Sequence, residues 1–185
     1  MFNELKATGL AATFLSWAAN RKVSRFDLLK LLYATERICL REEGRLITKD
    51  VFVNMERGPV MSKTYDCIKG GGAFWGQHIR QDGSYHLKLV TSPSSTLLTD
   101  DELAYAREAW DTYNHILDMH IEEKTAYMHN EFPEWIEPTG GKLQTPLSVR
   151  DMLHIGLGLD KETAESSEAA MTSFSDLQNF SEQYG

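Results

Sequence analysis

At 185 residues the chain is long enough for one domain with a full core and too short for two of ordinary size. Hydrophobic residues make up 42% and charged residues 25%, an ordinary globular balance, and no apolar run approaches the roughly 18–20 residues that a bilayer crossing needs. The formal charge of −8 is unevenly placed: residues 1–90 carry 14 basic and 9 acidic side chains, residues 91–185 carry 5 and 18. Such an asymmetry points to a charged partner on one side, with drifting charge on solvated helix faces as the plainer alternative. The opening MFNELKATGLAATFLSWAANRK has its basic residues after the apolar part, the reverse of a secretory signal, and reads as cytoplasmic. Cys39 and Cys67 lack metal-ligand spacing and read as two buried thiols.

In chain order, Leu5, Leu10, Phe14 and Trp17 give residues 5–19 the spacing of an amphipathic helix. Ser24, with Asp27 three positions on, starts a second helix over about 25–43. That helix is apolar on nearly every face, which places it at the centre of the domain, and Gly44 is a left-handed stop. Arg45–Thr48 is expected to be a brief strand and 50–57 a helical turn or two. Pro59 cannot continue a helix and biases Gly58 away from helical angles. A helix over 61–69 should end at the triple glycine 70–72. Residues 85–91 alternate as a strand, and Gln81-Asp82-Gly83 makes a hairpin with a partner beginning at Ile79. Thr99 and Glu102 form a capping box for a helix whose stripe is Leu103, Ala106, Trp110, Tyr113 and Leu117. A short helix over 122–130, a loop over 132–146 and a helix capped by Ser148 with Asp151 follow. The last residues place Met171, Phe174, Leu177, Phe180 and Tyr184 at helical steps of three or four. The fold expected is mainly α: a single compact helical domain around the helix 25–43, a small β-hairpin near 79–91, and a C-terminal amphipathic helix.

Chemistry-bearing motifs are scarce. There is no phosphate loop, dinucleotide fingerprint, nucleophile elbow or CxxC pair, and the glycines at 70–72 follow no βα unit. His115, Asp118, His120 and His129 are the one set that could serve a metal-dependent enzyme, with irregular spacing and no thiolate. The basic stretch 20–25, in the basic N-terminal half, is the only hint of a DNA-binding autoregulator, and a pI near 5.2 argues against a strong phosphate footprint.

Four separated clusters carry a resemblance. Residues 30–38 (KLLYATERI), 50–65 (DVFVNMERGPVMSKTY), 128–135 (MHNEFPEW) and 146–153 (PLSVRDML) together resemble the Panacea domain of the SocA-like antitoxin family, over about residues 10–155. Lys30, Leu31, Leu32, Tyr33, Asp50, Phe52, Gly58, Pro59, Val60 and Tyr65 match the family pattern, and His129, Pro133 and Trp135 stand where a His-Pro-Trp set closes the domain. The chain departs from the family at Asn54-Met55, where Ala-Trp is common, and at Arg57, where an aromatic is common; a partner surface built on that Trp would be altered here.

The resemblance implies a type II antitoxin with no chemistry of its own, no catalytic residues and no cofactor or metal. Its partner would be a cognate protein toxin, neutralised by direct contact, and some members instead deliver a toxin to a protease. A homo-oligomer is compatible with it; membrane and nucleic-acid partners are not expected. Gly58-Pro59 then reads as a rigid turn docking Val60 and Tyr65 on the central helix, with Tyr65 mostly buried and its hydroxyl bonded. The domain would span 1–158, with a helical tail over 159–185 docked on its own domain or inserted in a toxin groove. Candidate partner contacts are Arg57, Met171, Phe174, Leu177, Phe180 and Tyr184.

Overall fold

The computed structural model describes the backbone of residues 1–184 and the side chains of residues 1–173. At its centre lies helix α2, Arg25–Glu43. The Ser24 side chain accepts from the Asp27 N–H at 3.1 Å, and Gly44, at φ +62°, ends the helix with its N–H on the Leu40 carbonyl. Leu28, Leu31, Leu32 and Cys39 are fully buried, as the all-round apolar pattern predicts. Both cysteines are buried free thiols, and burial pushes Cys39 up to about 12 and Cys67 up to about 11.

Helix α1, Glu4–Trp17, packs on α2 differently from the expected single stripe. Ala7, Gly9, Leu10, Ala11, Ala12, Phe14 and Leu15 are all buried, and Leu5 stands 45% exposed. Small residues let neighbours approach from several sides: a Cβ on Gly9 would already press on Leu97 and Leu98 at 3.3 Å. Helix α5, Asp100–Tyr113, starts with the expected capping box and lies against α1 and α2. Leu117, assigned to its stripe, falls on a separate turn beyond the helix end.

Two three-stranded antiparallel sheets flank the helices. The first has the order β1-β5-β4, with β1 Lys22–Ser24, β4 Ile79–Asp82 and β5 His86–Leu89, so the predicted hairpin gains a third strand. The second has the order β3-β2-β6, with β2 Phe52–Met55, β3 Gly58–Met61 and β6 Gln144–Leu147. This sheet corrects three expectations. Residues 50–57 are not helical but supply β2 and a turn at Glu56-Arg57, because Phe52 and Val53 are buried side by side in a ladder with residues 144–147. Gly58 and Pro59 are the first residues of β3 and not the turn itself. Gly58 takes φ +108°, and Pro59 is tolerated because β3 is an edge strand that needs no donor there. The loop expected over 132–146 contains the start of β6. Arg45–Thr48, expected as a strand, is a bend held by Glu36.

Helices α3 (Ser62–Asp66), α4 (Trp75–His78), α6 (Ile121–Glu131) and α7 (Val149–Asp151) are short, and the turn after α3 passes through Gly70 at φ +103°. Helix α8, Lys161–Tyr184, packs against α7, with Ala164 buried and Met171 half-buried on the core. The side chains of Phe174, Leu177, Phe180 and Tyr184 lie outside the described residues.

Candidate functional site

One face of α2 is a polar strip at helical spacing: the buried Asp27, Lys30 and Tyr33, and the partly buried Arg37. Each member holds a different segment of the chain. The Asp27 carboxylate pairs with Lys124 of α6 at 2.7 Å. Lys30 Nζ donates to the Pro59 carbonyl at 2.7 Å. Tyr33 Oη donates to Glu134 Oε1 at 2.8 Å, and Arg37 Nε stands 2.9 Å from the same oxygen. Arg37 Nη2 also donates to the Gly156 carbonyl. Four sequence-distant pieces are thus tied to one helix: α6, the β2–β3 hairpin, the 132–135 turn and the turn after α7.

The surrounding apolar contacts fix these groups in place. Phe52 and Phe132 meet the Tyr33 ring edge-on at 5.7 and 4.9 Å. His129 stacks on Trp135 at 3.5 Å, and Trp135 Nε1 donates to the Met55 carbonyl at 2.8 Å. Gly58 is required by space as well as by its φ: a Cβ there would lie 2.7 Å from Lys30 Nζ. Gly156 is likewise pressed on Glu134, where a Cβ would lie 2.7 Å from Oε2. Elsewhere, Asp50 accepts from the Lys63 and Thr64 N–H groups and the Thr64 hydroxyl at the start of α3. Glu36 accepts from the N–H groups of Ile47 and Thr48.

Of the motif residues, then, Lys30, Tyr33, Gly58, Pro59, His129 and Trp135 converge on one region, Leu31, Leu32, Phe52 and Val60 pack the core, and Asp50 caps a helix. Pro133 is exposed beside the buried Phe132 and Glu134. Tyr65 is mostly buried as expected, with the Lys69 ammonium 4.5 Å from its ring centre, but the hydrogen-bonded hydroxyl at this point is that of Thr64 and not its own. Arg57 is exposed at the hairpin tip. Asp27, Glu36, Arg37, Lys124 and Glu134 were missed as a group. For Asp27, Glu36 and Arg37 the signal is charge at helical spacing inside an otherwise apolar helix; Lys124 and Glu134 lie outside that helix and carry no such signal.

The electrostatics are those of a buried structural cluster. Burial lowers Lys30 to about 7, and burial together with Lys30 lowers His129. Burial raises Glu134, and burial with the Glu134 charge raises Tyr33. These groups do not open into a cleft: Lys30 is 2% exposed and Glu134 0%. A cavity of about 120 Å³ between α2, α5 and Phe132 touches the cluster only through Arg37 and Phe132. The metal set is dispersed. His115 is exposed with its ring edge against Tyr127, Asp118 and His120 are exposed, and His129 is stacked on Trp135. Among the described residues no group of three or more His, Cys, Asp and Glu is placed to hold a metal ion.

The lowered Lys30 has a measurable consequence. Between about pH 7 and its unfolded value of 10.5, the unfolded chain holds this proton and the folded chain does not. Stability therefore rises with pH across that window, by about 1.4 kcal/mol per unit at most. In urea unfolding, the stability of the native protein minus that of Lys30→Met is expected to grow between pH 7 and 9. A difference that stays flat would contradict the buried amine.

The comparisons with known proteins agree with this motif geometry. A family model described as "Antitoxin SocA-like, Panacea domain" matches residues 28–136, from the first buried leucine of α2 to the residue after Trp135. The chain belongs to this family. The matched span holds nearly all of the strip and its partners, including Lys124 and Glu134, so the Panacea region coincides with what α2 organises. No curated protein and no solved structure matches the chain. No described helix is long and apolar enough to cross a membrane.

Proposed function

We propose that this Panacea protein is the antitoxin of a type II pair and neutralises a cognate protein toxin by direct contact, with no reaction of its own. The observation that carries this reading is the family match joined to the character of the motif. Its Lys30 and Tyr33 are buried and tie distant chain segments to α2, which is what an interaction module requires of them.

The proposed contact surface is the face around the β2–β3 tip. Arg57 is exposed at the tip, Ile136 is 62% and Leu143 86% exposed, and Met55 and Trp135 are half-buried beside them. Ile136 is held there by its N–H on Asn54 Oδ1, and Leu143 by the pairing of Gln144 with Met55. Exposed apolar side chains around an arginine have the composition of interface anchors. The tail is a second proposed contact, with the stripe begun by Met171 continued in sequence by Phe174, Leu177, Phe180 and Tyr184. The acidic C-terminal half, exposed at Asp101, Glu108, Asp111, Glu122 and Glu123, would complement a basic toxin.

The test is co-expression with the product of the toxin reading frame beside its own. The protein is expected to restore growth, and Arg57→Glu to lose that rescue with its melting temperature unchanged. Rescue that survives Arg57→Glu would remove the hairpin tip from the interface. Absence of rescue by the native protein would remove the antitoxin reading.

A further inference from the structure

The outer face of the β1-β5-β4 sheet carries an arrangement that the antitoxin reading does not use. Registers place Lys22 opposite Lys88 and Lys88 opposite Arg80, so three cations form one row across three strands. The next row is Ser24, His86 and Asp82. Lys88, Arg80 and His86 are exposed, whereas Val23, Leu87, Ile79 and Leu89 on the inner face are buried. Like charges directly opposite each other destabilise a sheet, so the row has a cost in stability that packing does not explain. The one carboxylate in these rows, Asp82, pairs with Lys22 at 2.9 Å, and Arg21 adds a further cation immediately before β1. Asn20 and Arg21 both hold φ +56°, and the Arg21 guanidinium donates to the Ser92 hydroxyl at 2.9 Å. Consecutive non-glycine residues in that region are strained, and such strain tends to gather at functional sites.

We infer that this sheet face is a binding surface for the phosphate backbone of duplex DNA. Strands about 4.8 Å apart spread the row over about 10 Å, and one strand of a duplex offers a phosphate about every 3.4 Å of axis, about three over that span. The rows contain no apolar or aromatic centre, whereas protein interfaces are depleted in lysine and built on apolar anchors. Single-stranded nucleic acid is held by stacking on exposed aromatics, and these rows supply none. The nearest, Tyr85, stands just before β5 and is 67% exposed, but it lies outside the two rows and its ring already carries the Arg25 guanidinium at 5.6 Å. The acidity of the whole chain hides this face in any calculation of net charge.

The test is fluorescence anisotropy of the full chain with a labelled duplex of about 30 base pairs and arbitrary sequence, across a salt series. Arg21, Lys22, Arg80 and Lys88 less Asp82 leave three net cations, so log K should fall against log salt with a slope of about −2.7. In the R80Q/K88Q double variant the slope should flatten to about −0.9, with a melting temperature equal to or above that of the native protein, since a like-charge row has been relieved. Absence of binding at low salt would overturn the proposal, as would an unchanged slope in the folded variant. So would competition by single-stranded oligonucleotide or polyglutamate as effective as that by duplex at equal charge, which would reassign the face to those partners.

Discussion

Replacing Lys124 with methionine is expected to lower the stability of the domain by about 3–5 kcal/mol, a large share of the 5–15 kcal/mol typical of a domain. The lysine and its partner Asp27 are both almost wholly buried, 2.7 Å apart, and the pair joins α6 to the start of α2. Taking away the ammonium leaves a carboxylate in a site closed to water, with the Ser24 hydroxyl as its remaining side-chain donor at 2.6 Å. The penalty therefore belongs to the stranded charge more than to the lost attraction. An Asp27→Asn/Lys124→Met double variant removes that charge and should recover part of the loss. Urea unfolding of the two single variants and the double separates these terms, and a double variant as unstable as the sum of its singles would show that the two residues act independently.

Leu32→Ala should cost about 2–5 kcal/mol, the sum of lost transfer energy and the cavity left behind. Leu32 is fully buried in the middle of α2, the helix on which α1, α5 and β3 all pack, so no mobile segment is available to fill the void. The effect should be global, with one cooperative transition moved to lower denaturant. A thermal or urea transition that does not move would place the centre of the core elsewhere.

The parts of this fold legible in the sequence are those set by local chemistry. The Ser24 and Thr99 caps, the Gly44 stop, the Ser148 cap and the alternation that buries Leu87 and Leu89 all act within a few residues. The second sheet was not legible because its pairing is not local. Phe52–Met55 becomes a strand through a ladder with 144–147, roughly ninety residues away, and neither four-residue segment announces itself alone. Lys22–Ser24 is too short to show any alternation. The helix α1 misled for a different reason: alanines and a glycine can be buried on any face without leaving a periodic trace.

The candidate site divides in the same way. Lys30, Tyr33, Gly58 and His129 entered through a family resemblance, and their physical roles were not evident from spacing. In the sequence Asp27 shows only as part of a helix start, although it also pairs with Lys124, and Glu134 gives no sign there of meeting Tyr33 and Arg37. Buried charge on a central helix becomes readable only when its partner segments are known. The Gly58-Pro59 pair illustrates this. Its backbone restriction was legible, but the reason for it was not: glycine leaves room for the Lys30 amine, and proline offers that amine its carbonyl.

The central claim is neutralisation by binding, without turnover. The most direct measurement is the residual activity of purified toxin titrated with this protein at concentrations well above the dissociation constant. The account predicts a linear fall to an end point at a fixed stoichiometric ratio, independent of incubation time, with the mass of the toxin unchanged. Inactivation that proceeds to completion at sub-stoichiometric amounts, or a change in toxin mass, would contradict it and make this protein an enzyme.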